Sequence, residues 1–150
     1  MKIALGADHG GFELKETVKQ HLIEKGYEVI DCGTYSSDSV DYPVFGRKAA
    51  ICVKDGEADF GVLVCGTGIG ISYAANKVPG IRCARLTDVY SAKLTRAHND
   101  SNMMSLGARV TGPGLALEIV DAFLNEPFSN DPRHVHRLEL IDEIAEEFSK

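Results

Sequence analysis

A thiol stands at the end of an apolar run in VLVCGTGIG, residues 62–70, where Cys65 leads into a turn carrying Gly66, Gly68 and Gly70. Glycines let the backbone approach a ligand closely and leave amide N–H groups free to face an anion. The helix expected after the turn adds the positive end of its dipole. A thiol at a helix N-terminus ionises more readily than a free one, and a thiolate serves either as nucleophile or as base. These residues leave both roles open, because a cysteine hydrolase needs a nearby histidine and an oxyanion hole, which His98 and the loop amides could supply. Free cysteine is also a common small core residue, and a glycine turn also joins a strand to a helix without any ligand.

Other polar groups could take part in the same chemistry. Asp8-His9-Gly10-Gly11 follows one apolar run, and His98-Asn99-Asp100 precedes another. Asp after a strand commonly caps the next helix, and His at a helix end is commonly a solvated cap, so neither pair speaks for chemistry alone. Arg133 and Arg137 lie four apart in RHVHR. On a helix they project together and can grip one phosphate from two points, although a merely charged face has the same pattern. His134 and His136 fall on different helical faces, which argues against a metal site. A nucleotide-binding module is the rival from another class, since it would keep the glycine turn without needing Cys65, His98 or the arginine pair. Ile71 stands where the third glycine of GxGxxG belongs, while Asp31 and Asp88, near strand ends, keep that reading open.

These residues must be held by an alternation of short β-rich runs and longer helical patterns. KIALGA, YEVIDCG, FGVLVCG, GIRCARL and NMMSLGA are separated by stretches too long for hairpins and suited to βαβ crossovers. The pattern predicts an α/β fold: a doubly wound, Rossmann-like five-stranded parallel sheet with helices on both faces, in a single domain over 1–150. In such sheets ligands bind beyond the carboxyl ends of the strands. The first helical pattern, FELKETVKQHLIEK, puts Leu14, Val18, Leu22 and Ile23 on one face and stops at Gly26. VFGRKAAICVK, DVYSAKLTRAH and GPGLALEIVDAFLN read the same way, the last bounded by Pro113 and Pro127. Residues 132–150 form an amphipathic appendage with Leu138, Ile141, Ile144 and Phe148 on one stripe, suited to docking on a partner subunit or on its own domain.

Composition narrows the classes further. A net charge of −6 leaves no surplus of cations for non-specific nucleic-acid binding, so a phosphorylated ligand needs a local basic pocket. The N-terminal MKIALGADHGG is too short and polar for a signal peptide, and no apolar run approaches a membrane span. Cys32, Cys52, Cys65 and Cys83 lie far apart without CxxC spacing, which suits reduced thiols in a cytoplasmic protein.

The set ADHGG, GTYSSDSVDYP, VCGTGIGIS, AANKVPGIR, RAHNDSN and RHVHR, in this order across nearly the whole chain, resembles the type B ribose-5-phosphate isomerases of the broader sugar-phosphate isomerase family. The resemblance implies reversible aldose–ketose isomerisation of ribose 5-phosphate and ribulose 5-phosphate, within pentose phosphate metabolism. It implies no metal or organic cofactor, and a homodimer with active sites between subunits, which can pair further into tetramers. Cys65 is then the base, which fits the cysteine rather than the carboxylate branch of the family. Thr67 moves protons between the substrate oxygens, and the amides around Gly66, Gly68, Ile69 and Gly70 form the oxyanion hole. His98 opens the furanose ring with Asp8 assisting, Asn99 holds the intermediate's oxygens, and Tyr42 contacts the sugar. His9, Arg133 and Arg137 grip the phosphate, with Arg109 joining, from the opposite subunit. Asp131-Pro132 departs from the glycines that family members often carry there. A six-carbon sugar phosphate, allose 6-phosphate or galactose 6-phosphate, is the alternative substrate, because pocket depth cannot be read from sequence.

Overall fold

Apolar, β-branched runs become five strands: β1 (Lys2–Ala7), β2 (Glu28–Asp31), β3 (Phe60–Cys65), β4 (Cys83–Arg85) and β5 (Met103–Gly107). They are seen in a computed structural model that describes residues 1–149 of the chain; Lys150, the last residue of the expected amphipathic appendage, lies outside the described residues. The helices between and after them are α1 (Phe12–Glu24), α2 (Tyr42–Lys54), α3 (Ile69–Asn76), α4 (Val89–Ala97), α5 (Pro113–Asn125) and α6 (Pro132–Glu147). All strand pairs are parallel, in the order β2-β1-β3-β5-β4. β1, β3 and β5 are buried along almost their whole length because helices cover both faces.

Alternation along the strands assigns each side chain to a face. Val62 and Val64 pack with Ile3, Leu5 and the buried stripes of α1 and α5. Leu63 and Cys65 pack on the other face with Ala49, Ala50 and Val53 of α2 and Ile71 and Ala75 of α3. The doubly wound parallel sheet expected from the sequence is thus present. After β1 the chain crosses to β2 on one side, and β3 lies on the other. That reversal opens a crevice beyond Ala7 and Cys65, the usual ligand position in such sheets.

Some boundaries differ from expectation for local reasons. On α1, Leu14, Val18 and Leu22 are buried at i, i+4 and i+8, whereas Ile23, one step off that stripe, is 49% exposed. α2 starts at Tyr42 rather than at Val44, because Asp41 takes the N-cap position and Pro43 suits the first turn. β4 keeps only three residues of the run 80–86, and the Asn76 side chain occupies its outer edge, donating to Cys83 O at 2.9 Å and accepting Cys83 N–H at 2.8 Å. On α6 only Leu138 of the stripe is buried, while Ile141, Ile144 and, just past the helix, Phe148 face outward, as does Leu140 beside them.

Candidate active site

At the carboxyl edge, Asp8 and the glycine turn after β3 sit side by side, since Ala7 and Val64 are register partners. Asp8 is buried and its Oδ1 accepts the Gly11 N–H at 3.0 Å, so it does close the turn into α1. The next residue is held from a distant loop: the Val40 N–H donates to Nδ1 of His9 at 3.1 Å. Cys65 ends β3 with 5% of its surface exposed, and the Gly68 N–H donates to its Sγ at 3.1 Å. Gly68 is the N-cap of α3 with φ of 79°, a left-handed conformation that lets the chain fold back onto the sulfur. Ser105 of β5 fixes the same residue by donating to Gly68 O at 2.7 Å. Burial pushes the Cys32 and Cys83 thiols up to about 12 and also raises Cys52.

Around this turn the expected residues take distinct stations. Thr67 is exposed, its Oγ1 accepts the Ile69 N–H at 3.2 Å, and its carbonyl accepts from Nε of Arg85 at 3.0 Å. The Tyr42 ring lies against Gly70 so closely that a Cβ there would stand 2.6 Å from Cζ. Arg109 covers Gly10 and Gly66, with Nη1 at 3.1 Å from where a Gly66 Cβ would be. Arg109 and His9 also line a cleft of about 460 Å³ between the starts of α1 and α5, together with Gly10, Glu13, Thr111 and Pro113. Cys65 does not line that cleft: its sulfur is on the α2 and α3 face, and Gly66 intervenes between it and the Arg109 cation.

The other half of the expected set lies at the opposite edge. α4 runs back across the sheet, so His98, its C-cap, and Asn99 are at the amino edge just before β5 begins at Met103. β5 itself, from Met103 to Gly107, separates that edge from the register partner of Cys65 by roughly 13 Å, at about 3.3 Å per residue. The His98 ring stacks on His134, with centroids 4.2 Å apart. His134 Nδ1 meets Ser129 Oγ at 2.7 Å, and desolvation, with His98 nearby, lowers its pKa. Arg133 and Arg137 occupy the first turns of α6. Asp131 and Pro132, the departure noted above, set that start: Asp131 caps it, accepting the Arg133 N–H at 2.9 Å, and Pro132 fills its first position. Arg133 also reaches Asp131 through Nε and Nη2 at 3.1 and 3.0 Å, which holds that carboxyl down at about 2.

One chain therefore carries two partial sites, with Asp8, His9, Tyr42, Cys65, Thr67 and Arg109 at one edge and His98, Asn99, Arg133 and Arg137 at the other. Arg109, expected with the arginines of the second subunit, stands beside His9 and needs no second chain to reach the loop. The sequence reading weighed His134 only as a metal ligand and did not foresee its stacking on His98. The acidic residues of the nucleotide-binding reading are otherwise engaged. Asp31 binds Lys15 and Lys19, and Asp88 caps α4 by accepting the Ser91 N–H at 2.6 Å. Among the described residues no three His, Cys, Asp or Glu side chains gather closely enough to hold a metal ion, and no helix is long and apolar enough to cross a membrane.

Comparison with known proteins gives this geometry its context. A family model described as Ribose/Galactose Isomerase matches residues 3–141. Ribose-5-phosphate isomerase B of Escherichia coli K12 is 50% identical over 145 residues, covering 97% of each chain. The galactose-6-phosphate isomerase subunit LacB of Clostridium acetobutylicum is 42% identical over 146 residues, covering 97% of this chain and 84% of the relative. The solved structure of Clostridium thermocellum ribose-5-phosphate isomerase B superposes with a TM-score of 0.97 at 53% identity, covering 99% of this chain and 100% of the other. With the fold, the thiol-bearing glycine turn and this similarity in agreement, the chain belongs to the ribose/galactose isomerase family of aldose–ketose isomerases.

Proposed function

We propose that this protein interconverts ribose 5-phosphate and ribulose 5-phosphate, a step of pentose phosphate metabolism, as a cytoplasmic homodimer with Cys65 as the base. The observation that carries the reading is the Gly68 N–H held 3.1 Å from the Cys65 sulfur, in a glycine turn at the sheet's switch point. Thiolate Sγ removes the C2 proton of the open aldehyde, and the electron pair moves through C1 onto O1 to give an enediolate. The proton on O2 passes to O1, with Thr67 within the turn as the shuttle. Sγ then returns a proton to C1, leaving the ketone at C2. Amides of the turn 66–70 stabilise the anionic oxygen; one such donor is worth about 2.7–4 kcal/mol of barrier. The low exposure of Cys65 keeps bulk water from the reactive intermediate.

Ring opening precedes this, because the furanose has no acidic C2–H. His98, with Asp8 assisting, passes the proton of the anomeric hydroxyl to the ring oxygen, and Asn99 holds the freed oxygens. His9, Arg109, Arg133 and Arg137 take the phosphate, with Tyr42 beside the sugar. Since Cys65 and His98 lie at opposite edges of one sheet, the reading requires a second copy to bring His98, Asn99 and the α6 arginines to the turn. The outward-facing Ile141, Ile144 and Phe148 of α6 suit burial in that contact. The names of the Escherichia coli and Clostridium thermocellum relatives support the five-carbon substrate. Similarity to LacB supports a six-carbon sugar phosphate as second reading. Incubation with ribose 5-phosphate, allose 6-phosphate and galactose 6-phosphate in deuterated water tests both: ketose carrying solvent label at C1 is expected from the first. No labelled ketose from any of the three overturns the proposal.

A further inference from the structure

Arg96 is the one arginine of the α4–β5 region whose side chain is buried, and nothing in the proposed chemistry uses it. Its guanidinium carbon lies 4.8 Å from the centroid of the Phe60 ring and 5.9 Å from that of Phe123. A cation placed among aromatic rings needs its donors satisfied, and these donors converge on the turn that follows α4. Nη1 donates to Oδ1 of Asp100 at 2.8 Å and to the carbonyl of Ser101 at 2.7 Å. Nε donates to the carbonyl of Glu126, beyond the end of α5, at 3.2 Å.

The turn so held is strained and otherwise exposed. Asp100 has φ of 44°, in the left-handed region that a side chain disfavours, and His98 and Asn99 immediately before it face solvent. From outside, Arg82 donates through Nε to the carbonyl of Asn99 at 3.0 Å; on the inner side Thr95 Oγ1 meets Ser101 Oγ at 2.6 Å, and Arg96 alone ties Asp100 and Ser101 to the segment after α5. We propose that Arg96 is a positioning residue for the reaction: by binding Asp100, Ser101 and Glu126 together from a buried aromatic slot, it fixes the turn that presents His98 and Asn99 to the partner's glycine loop. This rests on the isomerase reading above, and goes beyond it in assigning a role to a residue that touches no substrate.

The test separates ring opening from proton transfer at carbon. Ribulose 5-phosphate is an open chain, so deuterium entry at its C1 needs the base but not ring opening. Arg96→Lys keeps the charge and loses the planar fork that spans three acceptors. Circular dichroism and sedimentation first verify fold and assembly; should this variant fail there, Asp100→Ala, which removes the carboxylate that Arg96 holds, replaces it. The expected result is kcat for ribose 5-phosphate reduced about tenfold or more, against about 10²–10⁴ for loss of the acid–base group itself. Deuterium entry at C1 of ribulose 5-phosphate, which draws on Asn99 but not on His98, should fall by clearly less than kcat for ribose 5-phosphate. Native rates in both assays, or equal losses in both, overturn the positioning role. His98→Asn is run alongside: if it retains native isomerisation, the isomerase reading falls with the inference. If it loses isomerisation while the Arg96 variant does not, the inference alone falls.

Discussion

Sulfur chemistry in this chain is decided by what each sulfur meets. Cys65 accepts a backbone N–H, whereas Cys32 donates to the carbonyl of Ile30 and shares a 3.7 Å contact with Cys52. Cys65→Ser should abolish both isomerisation of ribose 5-phosphate and deuterium entry into ribulose 5-phosphate, by at least about a hundredfold, because a serine hydroxyl is a far weaker base. Binding of inorganic phosphate, measured by equilibrium dialysis with radiolabel, should persist in that variant. Arg137→Ala should raise KM for ribose 5-phosphate about tenfold with less change in kcat, since a charge-assisted hydrogen bond of about 1.5–3 kcal/mol is lost from ground state and transition state alike. Steady-state kinetics decide this, and an unchanged KM removes Arg137 from the phosphate grip. At this scale the thiol was legible because an otherwise apolar strand stops at it and three glycines follow. His134 was not, because its stacking on His98 depends on how the segment after α5 returns to the end of α4.

Among elements, the turn from β3 to α3 is the most constrained. An alanine Cβ at Gly68 would lie 2.8 Å from the Leu106 carbonyl carbon as well as forcing φ of 79° on a side chain. Gly26, with φ of 89°, has nothing within 4 Å of such a Cβ. Gly68→Ala should therefore destabilise by clearly more than the roughly 1 kcal/mol that conformation alone costs at Gly26→Ala, and only the former should depress activity; urea denaturation and turnover read the two effects. A second constrained element is β2, where Lys15, wholly buried, and Lys19 meet Asp31 at 2.8 and 3.0 Å. Burial pushes the Asp31 carboxyl up, but the Lys15, Gly33 and Lys19 donors outweigh it and leave it below the ordinary carboxylate value. Its contribution is thus complete above about pH 4 and disappears as pH falls through the lowered value. The melting temperature of the native protein should fall more steeply below about pH 4 than that of Asp31→Asn, and parallel curves would exclude this pair as a pH-sensitive contact. The strands and the α1 stripe could be read from periodicity. The burial of Lys15 could not, since a lysine one residue beyond Leu14 looks like a solvated position until β2 supplies its counter-ion.

For the whole molecule the decisive feature is which edge of the sheet each group occupies. The alternation of runs predicted a parallel sheet and hence a site at its carboxyl edge, which accounts for Asp8, His9, Cys65 and Arg109. The same pattern already placed His98 away from Cys65 within one chain, because His98-Asn99-Asp100 precedes the fifth run and a residue that precedes a strand of a parallel sheet lies at its amino edge. On the proposed arrangement, inactive Cys65→Ser and inactive His98→Asn proteins, unfolded together and refolded as an equal mixture, should regain about a quarter of native activity: half the dimers are hybrid, and each hybrid restores one of two sites. No recovery in a mixture shown to contain hybrids would place both groups in the same chain's site.

On that proposed arrangement, the same separation governs how damaged subunits behave among intact ones. A chain carrying one lesion, at Cys65 or at His98, spoils a single pocket of any pair it joins, so its harm scales with its abundance. A chain carrying both lesions spoils each pocket of an otherwise sound companion, and its co-expression should poison native enzyme beyond simple dilution.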